Sequence, residues 1–191
     1  VDAAVDYLTK CNYNKIYALG TEAFREQLRT SGLNITDELS DDIDCLCMGY
    51  DTELTYKKIE DACILLKRDI AYIATNPDWV CPTWYGCAPD CGSVSEMLFR
   101  AAGKKPEFIG KPKPVMARLA MEIAGFDKSE TAVVGDRIYT DIACGVNAGI
   151  STIFVLSGGG TRSDIEKYGV KPDYVLQSIK ELYENLTAED E

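Results

Sequence analysis

Residues 131–149 read TAVVGDRIYTDIACGVNAG and carry the side chains best placed to do chemistry. A β-branched run from Thr131 to Val134 ends in Gly135-Asp136, and Asp141 follows ahead of a helical stretch closed by Gly149. One carboxylate thus stands at the carboxyl end of a strand and the other at the start of the next helix, where open α/β sheets bind ligands. Two carboxylates there suit a hard cation such as Mg²⁺, which keeps several waters and shares one or two carboxylates with a phosphate. Lys111 is the third element, set between Gly110 and Pro112. Glycine frees the approach and proline fixes the exit, so the ammonium is held at a strand edge, where it can carry a phosphate as a point charge.

Each residue also has a plainer reading. Gly135-Asp136 on its own is an ordinary turn. Asp141 behind Thr140 could be an N-cap worth about 1 kcal/mol. A single exposed lysine normally means nothing. The pair of carboxylates is the more specific signal, because both point at one crevice. Gly158-Gly159-Gly160-Thr161 could cradle a phosphate at a helix N-terminus. It lacks the Lys-Ser/Thr ending of a P-loop and the spacing of a dinucleotide fingerprint, and reads as a flexible connector. Trp79 and Trp84 stand in a long loop, which they either pack or use to contact a substrate.

The elements that must position these groups alternate along the chain. Helices are predicted at 2–11, 21–31, 55–68 and 93–102, and from the proline-rich opening at 112–114 to Gly125. Further helices are predicted at 140–148, 162–168 and 178–186. Strands are predicted at 15–19, 44–48, 70–74, 131–135, 152–156 and 173–176, with a short segment at 108–109. Thr75-Asn76-Pro77-Asp78 is a strong turn signal, and 79–92 reads as an irregular loop. The acidic end from Glu189 reads as frayed. This βαβα order predicts an α/β fold with a parallel sheet covered on both faces.

Composition narrows the function classes. A net charge of −11 argues against nucleic acid as a partner. No stretch approaches the ~20 apolar residues of a membrane span, and nothing near Val1 resembles a signal peptide. The eight cysteines mostly lie in apolar or helical contexts and read as reduced thiols of a cytoplasmic protein. Cys81, Cys87 and Cys91 could approach a zinc site, but there is no CxxC pair, and the chain has no histidine. The absence of histidine also removes His-based triads and general bases.

Together these residues make the chain resemble the haloacid dehalogenase (HAD) superfamily of phosphatases, in the branch of NagD and the 4-nitrophenyl-phosphate and phosphoglycolate phosphatases. The carrying stretches are ATNPD (74–78), IGKPKP (109–114), VVGDRIYTDIACGVNAG (133–149) and VLSGGGT (155–161). The resemblance implies a Rossmann-like HAD core, partial here, with an inserted α/β cap. Residues 1–12 would be a core helix leading into the cap, 13–106 the cap, and 107–191 the C-terminal half of the core. Lys111 matches the lysine that steadies nucleophile and phosphoryl group. Asp136 matches the acidic Mg²⁺ ligand, and Asp141 the second acid that orients the metal site. Asn76 and Asp78 fall near the cap loop that faces the active site, as substrate-binding residues. The implied partner is a small phosphorylated metabolite, and a homodimer through the cap is a further expectation by analogy.

The nucleophile of such enzymes is the first Asp of a DxDGT-type motif, which forms an aspartyl-phosphate that water hydrolyses. The 191 residues hold no such motif. Asp42-Ile43-Asp44 comes nearest, but Cys45-Leu46 follows instead of Gly-Thr, and the residues before it are too polar for a buried strand. The chain is therefore expected to be a fragment lacking at least one βα pair, about 30 residues or more, with little or no activity alone. The alternative is a non-catalytic truncated relative that binds Mg²⁺, phosphate or a protein partner. A nucleotide-binding doubly wound domain is a weaker reading, because GxGxxG is missing.

Overall fold

The computed structural model describes residues 1–188, so the expected fraying from Glu189 lies outside the described residues. The chain divides into two compact units, Val1–Gly110 and Lys111–Glu191.

The first unit holds helices α1 (Asp2–Cys11), α2 (Glu22–Thr30), α3 (Tyr56–Leu66) and α4 (Cys91–Ala102). Its main strands are β1 (Ile16–Leu19), β2 (Ile35–Thr36), β3 (Cys45–Met48), β4 (Ala71–Ala74) and β7 (Glu107–Phe108). They form one all-parallel sheet in the order β2-β1-β3-β4-β7. Strand alternation sorts the apolar residues onto two faces. Tyr17, Leu19, Leu46, Met48, Tyr72 and Ala74 pack with Ala62 and Leu65 of α3 and Leu98 of α4. Ile16, Ala18, Cys45, Cys47 and Ile73 face Leu8 of α1 and Leu28 of α2. Both faces are buried, so these strands read as continuous apolar runs. Three helices start on side-chain caps: Thr21 accepts from Phe24 N–H, Thr55 from Lys58 N–H and Asp90 from Cys91 N–H.

Three features depart from the expected organisation. The unit boundary falls after Gly110 rather than after residue 106: β7 is hydrogen-bonded to β4, and Ile109 packs into the first unit's core. The helix at 2–11, expected as a lead-in from the core, buries Ala4 and Leu8 in that same unit. The loop at 79–92 contains an antiparallel hairpin, β5 (Val80–Thr83) and β6 (Gly86–Pro89). Pro82 and Pro89 hid it, since proline ordinarily demotes a strand, although a two-stranded ribbon leaves edges that tolerate it. Cys81 lies opposite Ala88 and Cys87 opposite Pro82, so the two thiols project from opposite faces of the ribbon.

The second unit contains α5 (Val115–Ala124), β8 (Ala132–Gly135), a π-helical turn (Ile138–Ile142), α6 (Ala143–Ala148), β9 (Ser151–Val155), α7 (Ser163–Tyr168), β10 (Tyr174–Leu176) and α8 (Ile179–Ala188). Its strands form a parallel sheet in the order β10-β9-β8, with β8 at one edge. Ala117, Cys144, Ala148 and Ile150 pack on one face, and Ile138, Ile142 and Phe154 on the other. Thr152 and Asp173 lock β9 to the entry of β10: the Thr152 N–H and hydroxyl both donate to Asp173 Oδ2, and Asp173 N–H donates back to Thr152 Oγ1. The fold class is α/β, as the alternation predicts. No helix among the described residues is long and apolar enough to cross a membrane.

Candidate active site

β8 ends at Gly135, and Asp136 follows at its carboxyl end. The chain then enters the π-helical turn rather than going straight into the α-helix predicted at 140–148. Ile142 N–H reaches back to Arg137 C=O at 3.2 Å, the i→i+5 bond that defines the π turn. The turn folds Asp141 back over the strand end, where Arg137 N–H donates to Asp141 Oδ2 at 3.1 Å. Asp141 is buried, with 9% of its surface exposed. Asp141 N–H itself bonds Arg137 C=O at 3.0 Å inside the turn. The plainer N-cap reading therefore fails, because the carboxylate serves the strand end rather than the helix.

Gly135 makes this fold-back possible. A Cβ there would overlap the Asp141 side chain, with the carboxyl carbon at 2.6 Å and Oδ2 at 2.8 Å. The glycine is needed for room.

Lys111 Nζ donates to Asp141 Oδ1 at 2.5 Å, so both oxygens of Asp141 have protein partners. The lysine is anchored through its neighbours. Asn147 Nδ2 donates to Pro112 C=O at 2.8 Å and Cys144 Sγ donates to Lys113 C=O at 3.2 Å, tying the segment to α6. The Lys111–Pro112 peptide is cis. Gly110 has a different role from the expected one: a Cβ there would collide with the Thr75 carbonyl oxygen within the first unit.

Asp136 is half-buried and accepts a hydrogen bond on Oδ2 from Gly159 N–H at 2.6 Å. The structure thus brings Lys111, Asp136 and Asp141 to one strand end. The role of Gly158–Gly160 was missed in the sequence, where the run reads as a flexible connector. The tripeptide abuts Asp136, and its three glycines are the one signal that a crowded neighbour was coming.

Asn76 and Asp78 lie in the first unit, in the turn after β4. Asn76 Oδ1 accepts from Asp78 N–H at 3.0 Å, and Asn76 Nδ2 donates to Asp90 Oδ1 at 3.3 Å. Asp78 C=O accepts from Gly92 N–H at 2.8 Å. This network holds the turn against the start of α4. Cys91 is buried there, and burial pushes its thiol up to about 12. Asp42 and Asp44, the nearest approach to a DxD motif, sit at the amino end of β3. Asp44 accepts from Asn14 and Lys15 N–H, and Asp42 pairs with Lys15.

The donor set fits a hard cation in part. Asp136 and Asp141 offer carboxylate oxygens, and Mg²⁺ accepts one or two of them with water and phosphate completing its shell. Among the described residues, no group of three or more His, Cys, Asp or Glu side chains is placed to hold a metal. Any ion here would draw its remaining ligands from water, a backbone oxygen or a phosphate, or from groups outside these residues.

Comparisons with known proteins show the family. Residues 108–182, which contain Lys111, Asp136 and Asp141, match the family described as HAD-hydrolase-like. The acid sugar phosphatase of Staphylococcus epidermidis is 35% identical over 178 residues, covering 93% of this chain and 68% of the relative. The 4-nitrophenylphosphatase of Thermotoga maritima superposes with a TM-score of 0.84 at 37% identity, over 95% of this chain and 69% of that one. A glycerol phosphate phosphatase of Mycobacterium tuberculosis, solved in complex with calcium, gives a TM-score of 0.83 at 26% identity, over 91% of this chain and 52% of that one. The chain belongs to the haloacid dehalogenase superfamily, in the branch of NagD-like and 4-nitrophenyl-phosphate phosphatases.

Proposed function

We propose that the chain carries the charge-stabilising half of a Mg²⁺-dependent phosphatase acting on small phosphate monoesters. The observation that carries this reading is the Lys111–Asp141 pair, held at 2.5 Å at the strand end that also bears Asp136. Asp136 would hold the metal directly. Asp141 would orient the site from behind, since both its oxygens are engaged by Lys111 and Arg137. A bound Mg²⁺ would supply positive charge to the phosphoryl oxygens. Lys111 adds its own ammonium to that stabilisation, from a position fixed before substrate arrives.

In this reading the first unit is the cap, which selects the substrate and excludes water. Asn76 and Asp78 enter as substrate-binding residues by shaping the turn after β4. The physiological substrate is a small phosphorylated metabolite, and the eight free thiols favour the reducing cytoplasm. Pairing of two copies through the cap is part of the proposal by analogy alone.

None of the 191 residues supplies a DxDGT-type nucleophile. We therefore expect little or no turnover from this chain by itself, with the attacking carboxylate contributed from outside these residues. The test is 4-nitrophenyl-phosphate hydrolysis with Mg²⁺, by this chain and by a version extended at its amino end with a DxDGT-bearing strand and helix. Activity is expected only in the extended protein, and it should be lost in Asp136→Ala. Turnover by the 191-residue chain that depends on Asp136 would overturn the assignment of the nucleophile. Activity in neither form would favour the non-catalytic reading.

A further inference from the structure

We infer that the Gly158–Gly160 turn is a positioning element for Asp136, fixing one carboxylate oxygen so that the other is presented to a cation in a single orientation. The inference rests on the metal reading of Asp136 proposed above and adds a part of the site that lies beyond the aspartate and lysine motifs.

Three contacts converge on Asp136. Gly159 N–H donates to Oδ2 at 2.6 Å, a short charge-assisted bond. A Cβ at Gly158 would overlap Asp136 Oδ2, Cβ and the carboxyl carbon, so the backbone of 158 lies flat against the carboxylate. A Cβ at Gly160 would overlap the Asp136 carbonyl oxygen and stand 2.8 Å from the Phe154 ring, which is fully buried. None of the three glycines has a positive φ. Backbone conformation therefore does not demand glycine here; room beside Asp136 does at 158 and 160, whereas a Cβ at Gly159 would stand 3.5 Å from Asp136 Oδ2, an ordinary contact. The turn leaves β9 next to Phe154, so it is anchored in the core of the unit.

The chemistry follows from this arrangement. A carboxylate free to rotate loses orientational entropy when it binds a metal. One that is already hydrogen-bonded through one oxygen has lost it beforehand, which is how outer-shell partners tune metal affinity. The same contact argues against the run as a phosphate cradle, because Gly159 N–H already serves a protein carboxylate.

The test uses the 191-residue chain, Mg²⁺ alone as the probe, and the Gly159 amide resonance in ¹⁵N-labelled protein. In Asp136→Ala that resonance should move upfield and lose protection from hydrogen exchange. An unchanged resonance would overturn the contact itself. Mg²⁺ affinity, read from titration shifts around Asp136, should fall about tenfold or more in Gly158→Ala and Gly159→Pro. It should be unaltered in Leu8→Ala, which weakens the first unit's core and serves as the control for lost stability. Folded Gly158→Ala and Gly159→Pro proteins that bind Mg²⁺ like wild type would overturn the positioning role. A wild-type chain with no Mg²⁺-dependent shifts would instead overturn the cation reading, and the Asp136→Ala comparison still decides the contact.

Discussion

Lys111 Nζ lies 2.5 Å from Asp141 Oδ1, across 30 residues of sequence and within one compact unit. The lysine side chain is 40% exposed and the aspartate 12%, so the cation faces outward and the anion is held behind it. Such a pair adds little to stability, about 1 kcal/mol at most when half-exposed. In the proposed reading its value is placement: an ammonium whose location is fixed by a buried carboxylate would be ready for an incoming phosphoryl group.

Replacing Lys111 separates these roles. Lys111→Met should leave the thermal transition nearly unchanged and lower the turnover of the extended, active protein about 10²–10³-fold. Lys111→Arg should not restore it, because a planar guanidinium does not substitute for a compact point charge in this slot. Steady-state kinetics with 4-nitrophenyl phosphate read both. Full activity in Lys111→Met would remove the lysine from the site.

Gly135→Ala tests the fold-back of Asp141. The added methyl would strike the Asp141 side chain, so the π turn must shift. A stability loss of about 1–3 kcal/mol is expected from this overpacking, along with weaker Mg²⁺ binding. Urea unfolding and an Mg²⁺ titration measure the two effects, and a neutral result in both would mean that the strand end has slack.

Acid should destabilise the second unit through Asp173. Thr152, with its hydroxyl first and then its N–H, holds the Asp173 carboxyl below its ordinary value of 3.8, and Thr161 does the same for Asp164, through its N–H first and then its hydroxyl. A depressed folded pKa contributes stability that is complete above the unfolded value and is lost as pH falls through the folded one. The melting temperature should therefore decline below about pH 4. Asp173→Asn should show a shallower decline than wild type. Identical acid limbs would show that the Thr152–Asp173 link carries no proton linkage.

The first helix belongs to the first unit's core, and Leu8 is its fully buried contact. Leu8→Ala should cost about 2–5 kcal/mol. Deleting 2–11 should unfold Val1–Gly110 rather than merely detach a leader. Hydrogen exchange across β1 and β3 would show it, and a native exchange pattern after the deletion would return the helix to the periphery.

Much of this molecule is decided by local pattern. The short apolar runs at 15–19, 44–48 and 70–74 read as strands, and their alternation with helices predicts the parallel α/β fold that the structure shows. Asp136, Asp141 and Lys111 stood out because a carboxylate after a strand, a second after one turn and a lysine between glycine and proline are separately ordinary and jointly rare. Those are properties of short stretches, and short stretches are where the sequence speaks directly.

Tertiary structure decided the rest, because the causes lie far apart in the chain. Gly158–Gly160 reads as slack until Asp136, some 23 residues earlier, is found against it. The π turn arises because Asp141 has a lysine and a backbone N–H to satisfy, a demand that helical periodicity does not carry. The hairpin at 80–89 forms despite two prolines, with Asp90 N–H also bonded to Trp79 C=O at its base. The family resemblance singles out Asn76, and only the fold shows its amide bonded to Asp78 N–H and Asp90 Oδ1. The chain's own letters fixed which groups could do phosphate chemistry. Only long-range packing fixed which way their oxygens point.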